Sequence, residues 1–273
     1  VDADPGGWDQ VLRTLAKQMP PRLKEEADDL LTLYALNGVT DAAAARAVAA
    51  LYSPPRVTKE LKKLRRRVPG MLLVPGATFD LEEDEHGEAY DVLKAADRTR
   101  IRERIRRGQP FIVIGSPKCT DYCWFNVTIH HKRMEPAELE RRLAERKVIL
   151  GFAIEIYHLQ LAGGRHFLHE HPLGAESWEE PFVQKLMADA RVSSVIADQC
   201  RFGLRINGPD GKPMLAKKPT RFMSSAPAVL EALGQRCQGG HAHQPIQGVH
   251  HRGPPSHAYP ARRCPSLPRG PAE

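Results

Sequence analysis

The sequence predicts an α/β sandwich built around a mostly parallel sheet. Strand-like and helix-like segments alternate from about residue 45 to residue 237, which is the rhythm that successive βαβ units produce. The stretch PFIVIGS at 110–116 is a continuous apolar run, typical of a strand that is buried on both faces. A chain of 273 residues is also long enough for one sizeable core with terminal extensions.

The individual elements follow from the spacing of apolar residues and from the Gly and Pro residues between them. Short apolar runs predict strands in AVAALYSPPR, MLLVPGATFDL, RHFLHEHP and SSVIADQCRFGL, with TRFMSS as a further candidate. Helical spacing covers 91–107, a long segment at 136–162 that Gly163 and Gly164 end, and the stretches AESWEEPFVQKLMADA and APAVLEALGQRC.

Two segments flank the α/β domain, which we expect to span 45–237. Residues 1–40 carry apolar stripes at helical spacing and predict an N-terminal helical segment. The tail at 238–273 is crowded with Gly, Pro, His and Arg, so we expect it to be disordered. Because the first residue is Val rather than Met, we also expect the chain to be a fragment or a processed piece.

Charge, apolar runs and cysteine content indicate which kinds of partner and cellular compartment suit this chain. The net charge of +7 is concentrated in the basic runs KELKKLRRR (59–67) and RTRIRERIRRG (98–108), which indicate either solvated helix faces or contacts to nucleic acid. No apolar run approaches the ~18 residues of a membrane helix, so we expect no membrane association. Five cysteines are too few and too scattered for a disulfide scaffold, which favours a reducing compartment, nuclear or cytoplasmic.

Reactive side chains follow three of the predicted strands. Cys119 comes after the strand at 111–114, Glu170 stands in the HEHP segment, and Arg201 follows the strand that ends near Asp198. Because the carboxyl ends of parallel strands meet at one edge of a sheet, we expect Cys119, Glu170 and Arg201 to lie together.

These segments resemble a known family. GSPKCT is similar to the Pro-Cys loop of cytosine-5 DNA methyltransferases, HEHP to their Glu-Asn-Val/Pro motif, and QCRFGLR to the start of their Gln-x-Arg motif. The order YSPPR, FDL, GSPKCT, HEHP, DQCRFG, KKPTRFM and C…GHAH, over about 51–243, resembles the methyltransferase-like domains embedded in retrotransposon polyproteins. The resemblance implies a Rossmann-like, doubly wound sheet of the S-adenosylmethionine methyltransferase type.

The resemblance also implies a catalytic role for each residue at the edge. Cys119 would be the nucleophile that adds to carbon 6 of cytosine, and Glu170 the acid that supports the ring nitrogen gaining charge. Arg201 would contact the base or the surroundings of the thiolate. The target would be a cytosine flipped out of its stack, in DNA rather than RNA.

The implied cofactor is S-adenosylmethionine. The turn formed by Tyr52, Ser53 and Pro54 stands where the family has its cofactor loop, Pro117 belongs to the loop before the cysteine, and Asp80 resembles the acidic residue that binds ribose hydroxyls. The turn is Ser-Pro-Pro where the family has a glycine-rich loop.

Other positions also depart from the family pattern. Lys118 precedes the cysteine where the family has proline, and His171 replaces the asparagine that follows the glutamate. Gly203 falls on the last arginine of the Gln-x-Arg-x-Arg pattern. A lysine beside a cysteine lowers the thiol pKa, so Lys118 is compatible with a nucleophilic Cys119.

Two alternatives stay open beside this interpretation, which includes no metal site. The first is a zinc-binding module assembled from scattered ligands, namely Cys119, Cys123, His169, His171, Cys200, Cys237, His241 and His243. The second is a catalytically inactive nucleic-acid-binding domain whose basic runs and aromatic residues Trp124, Phe125 and Phe222 contact strands. Binding of S-adenosylmethionine distinguishes the enzyme from both.

Overall fold

The computed structural model describes residues 46–53, 56–67, 73–84, 86–123, 126–208 and 210–246. The predicted N-terminal helical segment at 1–40 therefore lies outside the described residues, as does the tail beyond 246. Pro54, Trp124 and Phe125 lie outside them as well.

The described residues contain eight strands and five α-helices. The strands are β1 (Arg46–Leu51), β2 (Leu73–Phe79), β3 (Ile112–Gly115), β4 (His166–Pro172), β5 (Ser193–Asp198), β6 (Arg205–Asn207), β7 (Pro213–Leu215) and β8 (Pro219–Ser224). The helices are α1 (Arg56–Arg67), α2 (Ala95–Gly108), α3 (Pro136–Ala162), α4 (Pro181–Met187) and α5 (Pro227–Leu233). The prediction of a long helix at 136–162 is confirmed by α3.

Six strands form one mostly parallel sheet in the order β2-β1-β3-β4-β8-β5. β1, β2, β3 and β4 pair in parallel, whereas β8 is antiparallel to both of its neighbours, β4 and β5. β5 consequently runs in the same direction as β4. The predicted α/β class with a mostly parallel sheet is confirmed, and the candidate strand TRFMSS lies inside the sheet as β8.

Helices cover both faces of this sheet. One apolar cluster joins α1 and α5 to the sheet through Val57, Leu61, Leu230 and Leu233. The other cluster is larger and joins α2, α3 and α4 through side chains such as Ile101, Leu150, Tyr157, Val183 and Leu186. The central strand β3 is buried on both sides between these layers, which explains its continuous apolar run.

Two local predictions differ from the structure. The segment at 175–190, expected as one helix, is a 3-10 turn at Glu176–Glu179 followed by α4. Pro181 lacks the N–H that a continuous helix would need and instead occupies the first turn of α4. The β6–β7 hairpin was not expected, since each of its strands has only three residues.

The chain also keeps a defined path beyond Cys237, into the segment expected to be disordered. The Gln244 N–H donates a hydrogen bond to the Leu215 carbonyl at 2.8 Å. Ile246 is buried against Leu204 and Ala216, in a small cluster of its own. Residues 238–246 therefore belong with the domain, because a single aliphatic side chain and a backbone contact anchor an otherwise polar segment.

Candidate functional site

The polar residues of interest lie at the carboxyl edge of the sheet. The chain order reverses between the neighbouring strands β1 and β3, because β2 lies on one side of β1 and the later strands lie on the other. Ligands of open α/β sheets bind beyond the carboxyl ends of the strands at such a point. The turns after β1 and β3, at 52–53 and 116–119, flank this position.

Gly115 allows close packing at the end of β3. A Cβ atom at this position would lie 2.0 Å from the Tyr157 hydroxyl oxygen. Tyr157 is fully buried, and its hydroxyl is within 3.1 Å of His169 Nδ1, so it has little room to move. The chain therefore requires glycine where β3 passes into the loop that carries Cys119.

Cys119 is buried beside a second thiol. Only 6% of Cys119 is exposed, and the 3-10 turn Thr120–Tyr122 brings the half-buried Cys123 back against it. Donation of a hydrogen bond to Cys123, together with burial, raises the pKa of Cys119 well above the usual thiol range. The same hydrogen bond, aided by the charge of Lys218, lowers the pKa of Cys123. Of the two thiols, Cys123 is therefore the one that ionises first.

Glu170 is the acidic partner in a buried ion pair with Lys218. Its Oε1 lies 3.2 Å from the Lys218 ammonium, and its Oε2 accepts a hydrogen bond from the Ser116 hydroxyl at 3.1 Å. Burial raises the pKa of Glu170, but the Lys218 charge and these hydrogen bonds outweigh it, so the net shift is downward. Glu170 is consequently ionised at neutral pH, and the proton of the pair resides on Lys218.

Lys218 connects the carboxylate to the thiols. It precedes β8, and its pKa is raised because the charges of Glu170, Cys119 and Cys123 together outweigh its burial. Lys218 is ion-paired with Glu170, and the charges of both groups shift the pKa values of Cys119 and Cys123. This cluster, comprising Cys119, Cys123, Glu170 and Lys218, is hereafter the thiol–lysine cluster.

His171 supports the loop that presents Cys119. Its Nε2 lies 2.8 Å from the Pro117 carbonyl, which can only accept a hydrogen bond, so the ring proton sits on Nε2. Nδ1 then accepts from the Ser177 hydroxyl at 2.6 Å. Burial lowers the pKa of His171 to about 4, which keeps the ring neutral. His171 therefore binds the backbone of the loop that carries Cys119.

Arg201 does not join the thiol–lysine cluster. It lies exposed on the 3-10 turn Gln199–Phe202 after β5, and within the described residues the positive charge beside Glu170 belongs to Lys218. The sequence offered a signal for Lys218, because its position in KKPTRFM places it immediately before a strand. Cys123 had a weaker signal, since a Cys-x3-Cys spacing fits several kinds of site.

The predicted cofactor residues lie at the same edge but contribute differently. Tyr52 has a φ of 59°, a left-handed conformation that glycine adopts easily and tyrosine does not. Its hydroxyl donates to the Ile149 carbonyl of α3 at 2.7 Å, so only its backbone can serve the turn. Ser53 is buried, and Asp80 is half-buried at the end of β2. The carbonyl of Pro117 is engaged by His171.

Of the scattered cysteines and histidines, four form a second cluster. Ligand atoms of Cys200, Cys237, His241 and His243 all lie within 4.8 Å of one another. In the part of the chain that the structure describes, this is the group whose spacing suits a metal ion. Cys119 and Cys123 belong to the thiol–lysine cluster instead, and His169 and His171 are buried among aromatic rings.

Comparison with known proteins does not assign the chain to a family. No family model matches the sequence, and no curated protein matches it either. Among the described helices, none combines the length and apolar character needed to cross a bilayer.

Proposed function

We propose that the chain is a methyltransferase-like domain, of the kind found in mobile elements, whose carboxyl edge acts on cytosine in nucleic acid with S-adenosylmethionine as methyl donor. The observation that carries this proposal is the thiol–lysine cluster, in which a thiol pair and a buried carboxylate–ammonium pair meet at one sheet edge. A nucleophile beside a transferable proton is what addition to the cytosine ring requires.

The thiol pair supports the first step. When the sulfur of Cys119 forms a bond to carbon 6 of the ring, its proton passes along the existing hydrogen bond to Cys123. Cys123 thus acts as the base that generates the nucleophile. S-adenosylmethionine would supply the methyl group to carbon 5. Loss of the carbon 5 proton to water would then re-form the double bond between carbons 5 and 6 and break the sulfur–carbon bond. The ring nitrogen would return its proton to Lys218, and Cys119, leaving as a thiolate, would regain its proton from Cys123.

The Glu170–Lys218 pair supports the charge that develops on the ring. A ring nitrogen gains electron density as the sulfur adds, and a proton given by the pair neutralises it. That proton starts on Lys218, and Glu170, which accepts from Ser116 and Lys218, orients it. Glu170 therefore acts with Lys218 rather than as a protonated acid by itself, which revises the role that the family resemblance implies.

Two features at the carboxyl ends of β1 and β2 are compatible with binding of S-adenosylmethionine. S-adenosylmethionine supplies the methyl group, and its ribose hydroxyls need an acceptor such as the Asp80 carboxylate. Burial raises the pKa of Asp80, while the Glu82 N–H donates to its Oδ1 at 3.1 Å. The positive φ of Tyr52 gives the turn a backbone shape that a glycine-rich loop would otherwise provide.

The basic face of α1 supports nucleic acid as the partner. Among the side chains of this helix that the structure describes, five basic ones are exposed: Lys59, Lys62, Lys63, Arg65 and Arg66. Three of them line a cavity of about 480 Å³ together with Val74 and Pro75. Clustered Lys and Arg residues bind phosphates through counterion release.

The test is calorimetric titration of the purified chain with S-adenosylhomocysteine, followed by a separate trapping reaction with S-adenosylmethionine on DNA that contains 5-fluorocytosine. Fluorine cannot leave carbon 5 as a proton does, so an active nucleophile stays covalently attached to the base. We expect binding of S-adenosylhomocysteine and a covalent adduct at Cys119, which Cys119→Ser abolishes and Glu170→Gln reduces by ~10²-fold or more. His158→Gln, at an exposed position on α3, is the matched control.

The result against the proposal is a folded chain that neither binds S-adenosylhomocysteine nor forms an adduct. An adduct at Cys123 in place of Cys119 would reassign the nucleophile within the cluster. Binding of DNA without cofactor would favour the inactive nucleic-acid-binding domain.

A further inference from the structure

The second cluster lies beside the β5 end of the sheet and takes no part in the proposed chemistry. We infer that Cys200, Cys237, His241 and His243 bind one zinc ion and thereby fasten the segment after α5 to the sheet. The inference rests on the spacing of these four side chains and is independent of the proposed methyltransferase function.

The ligand set matches the preference of zinc. Two thiolates and two neutral imidazoles form the Cys₂His₂ set of closed structural zinc sites. The two thiolate charges balance the double charge of the ion, so the completed site is neutral. Because Cys200 is buried and Cys237 and His243 are half-buried, this neutrality favours burial of the ion.

The distances fit tetrahedral coordination. Zn–S bonds of about 2.3 Å and Zn–N bonds of about 2.0 Å place a sulfur and a nitrogen of one tetrahedron about 3.5 Å apart. Cys237 Sγ lies 3.6 Å from His241 Nε2 and 3.5 Å from His243 Nε2. The sulfur of Cys200 is within 4.8 Å of the other ligand atoms, so a small side-chain adjustment completes the set.

The fold brings Cys200 and Cys237 together through Asp198 at the end of β5. Cys200 stands in the turn that follows this strand. The Asp198 N–H donates to the Gln235 carbonyl at 2.9 Å, and its Oδ2 accepts from the Cys237 N–H at 2.8 Å. Arg236 Nε donates to the same oxygen at 2.9 Å. A buried carboxylate thus orients the backbone of one ligand, as outer partners do at metal sites.

The histidines reach Cys237 because the chain reverses at Gly239 and Gly240. Both glycines have positive φ values, 88° and 78°, which other residues rarely adopt. The Gly239 N–H lies 3.4 Å from Cys237 Sγ and points a donor at the sulfur. His241 and His243 are two residues apart, so an extended chain presents both to the same side.

A zinc ion here would tie the turn after β5 to the segment after α5. That segment continues past Leu215 to Ile246, which packs against Leu204 and Ala216. The Gln199 N–H donates to the carbonyl of Lys218 at 3.2 Å. The same turn therefore lies next to the residue that completes the thiol–lysine cluster, and the ion would stabilise its position.

The test uses the full chain, purified from zinc-supplemented medium under reducing conditions. We expect one zinc per chain by elemental mass spectrometry. Replacement of the metal by Co²⁺ should give the absorption of a tetrahedral site with thiolate-to-metal charge transfer. Cys200→Ser and His243→Asn should each lower metal affinity by about tenfold or more. Cys123→Ser, which removes a thiol elsewhere in the domain, is the matched control and should keep the zinc.

Three results would overturn the inference. One is the absence of stoichiometric zinc together with a Co²⁺ spectrum that lacks thiolate charge transfer. Another is a Cys200–Cys237 disulfide in the reduced preparation, found by peptide mass spectrometry. The third is loss of zinc in Cys123→Ser with retention in Cys200→Ser. Where a ligand variant does not fold, the Co²⁺ spectrum of the parent chain still reports the number of thiolates.

Discussion

Cys119 and Cys123 show how two identical side chains acquire different chemistry from their positions. Cys119 is buried and donates to its neighbour, whereas Cys123 is half-buried, accepts that hydrogen bond and faces the charge of Lys218. Only a thiolate is an effective nucleophile toward small electrophiles. At the scale of single residues, the resting protein should therefore react first at Cys123.

The first prediction concerns alkylation with iodoacetamide at pH 7, followed by peptide mass spectrometry. Because the pKa of Cys123 is lowered, a larger thiolate fraction should persist as the pH falls below the usual thiol pKa of about 8.5. Modification of Cys123 should precede that of Cys119. Cys119→Ala removes the hydrogen-bond donor, and Lys218→Met removes the cation, so each should slow the reaction of Cys123 at pH 7.

The unfolded chain supplies the control for this prediction. In denaturant the two thiols lose their different surroundings and should react at similar rates. Faster modification of Cys119 than of Cys123 in the folded chain would contradict the assignment of charge within the pair.

At the scale of elements, α3 covers one face of the sheet and also forms hydrogen bonds to the backbone at the starts of β3 and β4. Gln160 is completely buried near the end of this helix. Its Nε2 donates at 2.8 Å both to the Pro110 carbonyl before β3 and to the His166 carbonyl in β4. Arg165 Nε donates to its Oε1 at 3.1 Å. One side chain thus sets the distance between two strands whose far ends carry Cys119 and Glu170.

Replacement of this amide defines the second prediction. Gln160→Leu preserves volume but leaves two buried carbonyls without these donors, so we expect a loss of about 2–4 kcal/mol in the free energy of unfolding. His158→Leu, at an exposed position on the same helix, should change it little. Urea unfolding followed by circular dichroism measures both. Equal stability of the Gln160→Leu chain and the parent would mean that packing alone holds the strand starts.

At the scale of the whole molecule, basic side chains on different helices differ in whether an acidic side chain pairs with them. On α3, Arg141 is paired with Glu138 and Glu145, so its charge is balanced locally. On α1, Arg65 and Arg66 are exposed and line the cavity beside β2. If nucleic acid binds this chain, phosphates should therefore contact α1 rather than α3.

The salt dependence of binding to single-stranded DNA tests this third prediction. Replacing Arg65 and Arg66 together by Gln should weaken binding and reduce the slope of log K against log salt by about 1.4, for two lost phosphate contacts. Arg141→Gln removes the same type of charge from a paired site and should leave the slope unchanged. Equal slopes for all three proteins would place the contact surface elsewhere.

The elements with strong local signals were predictable from the sequence. α3 has the predicted bounds because Pro136 occupies its first turn, two glycines follow the helix, and apolar residues recur at helical spacing between them. β3 was predictable because four consecutive apolar residues suit a strand buried on both faces. The β6–β7 hairpin and the ordered part of the tail had no such signal, since their stability comes from contacts with distant segments.

In the candidate site, too, some features were predictable from the sequence and others were not. The sequence by itself determined that Cys119 and Glu170 share a sheet edge, because strand direction follows from the βαβ rhythm. It placed Glu170 just after a strand, whereas β4 extends through Glu170 to Pro172. Only the tertiary structure decided that Lys218 rather than Arg201 faces Glu170, because the antiparallel strand β8 inserts between β4 and β5. The same insertion decided which cysteines meet which histidines, since contacts between residues far apart in the chain depend on strand order and leave no local pattern.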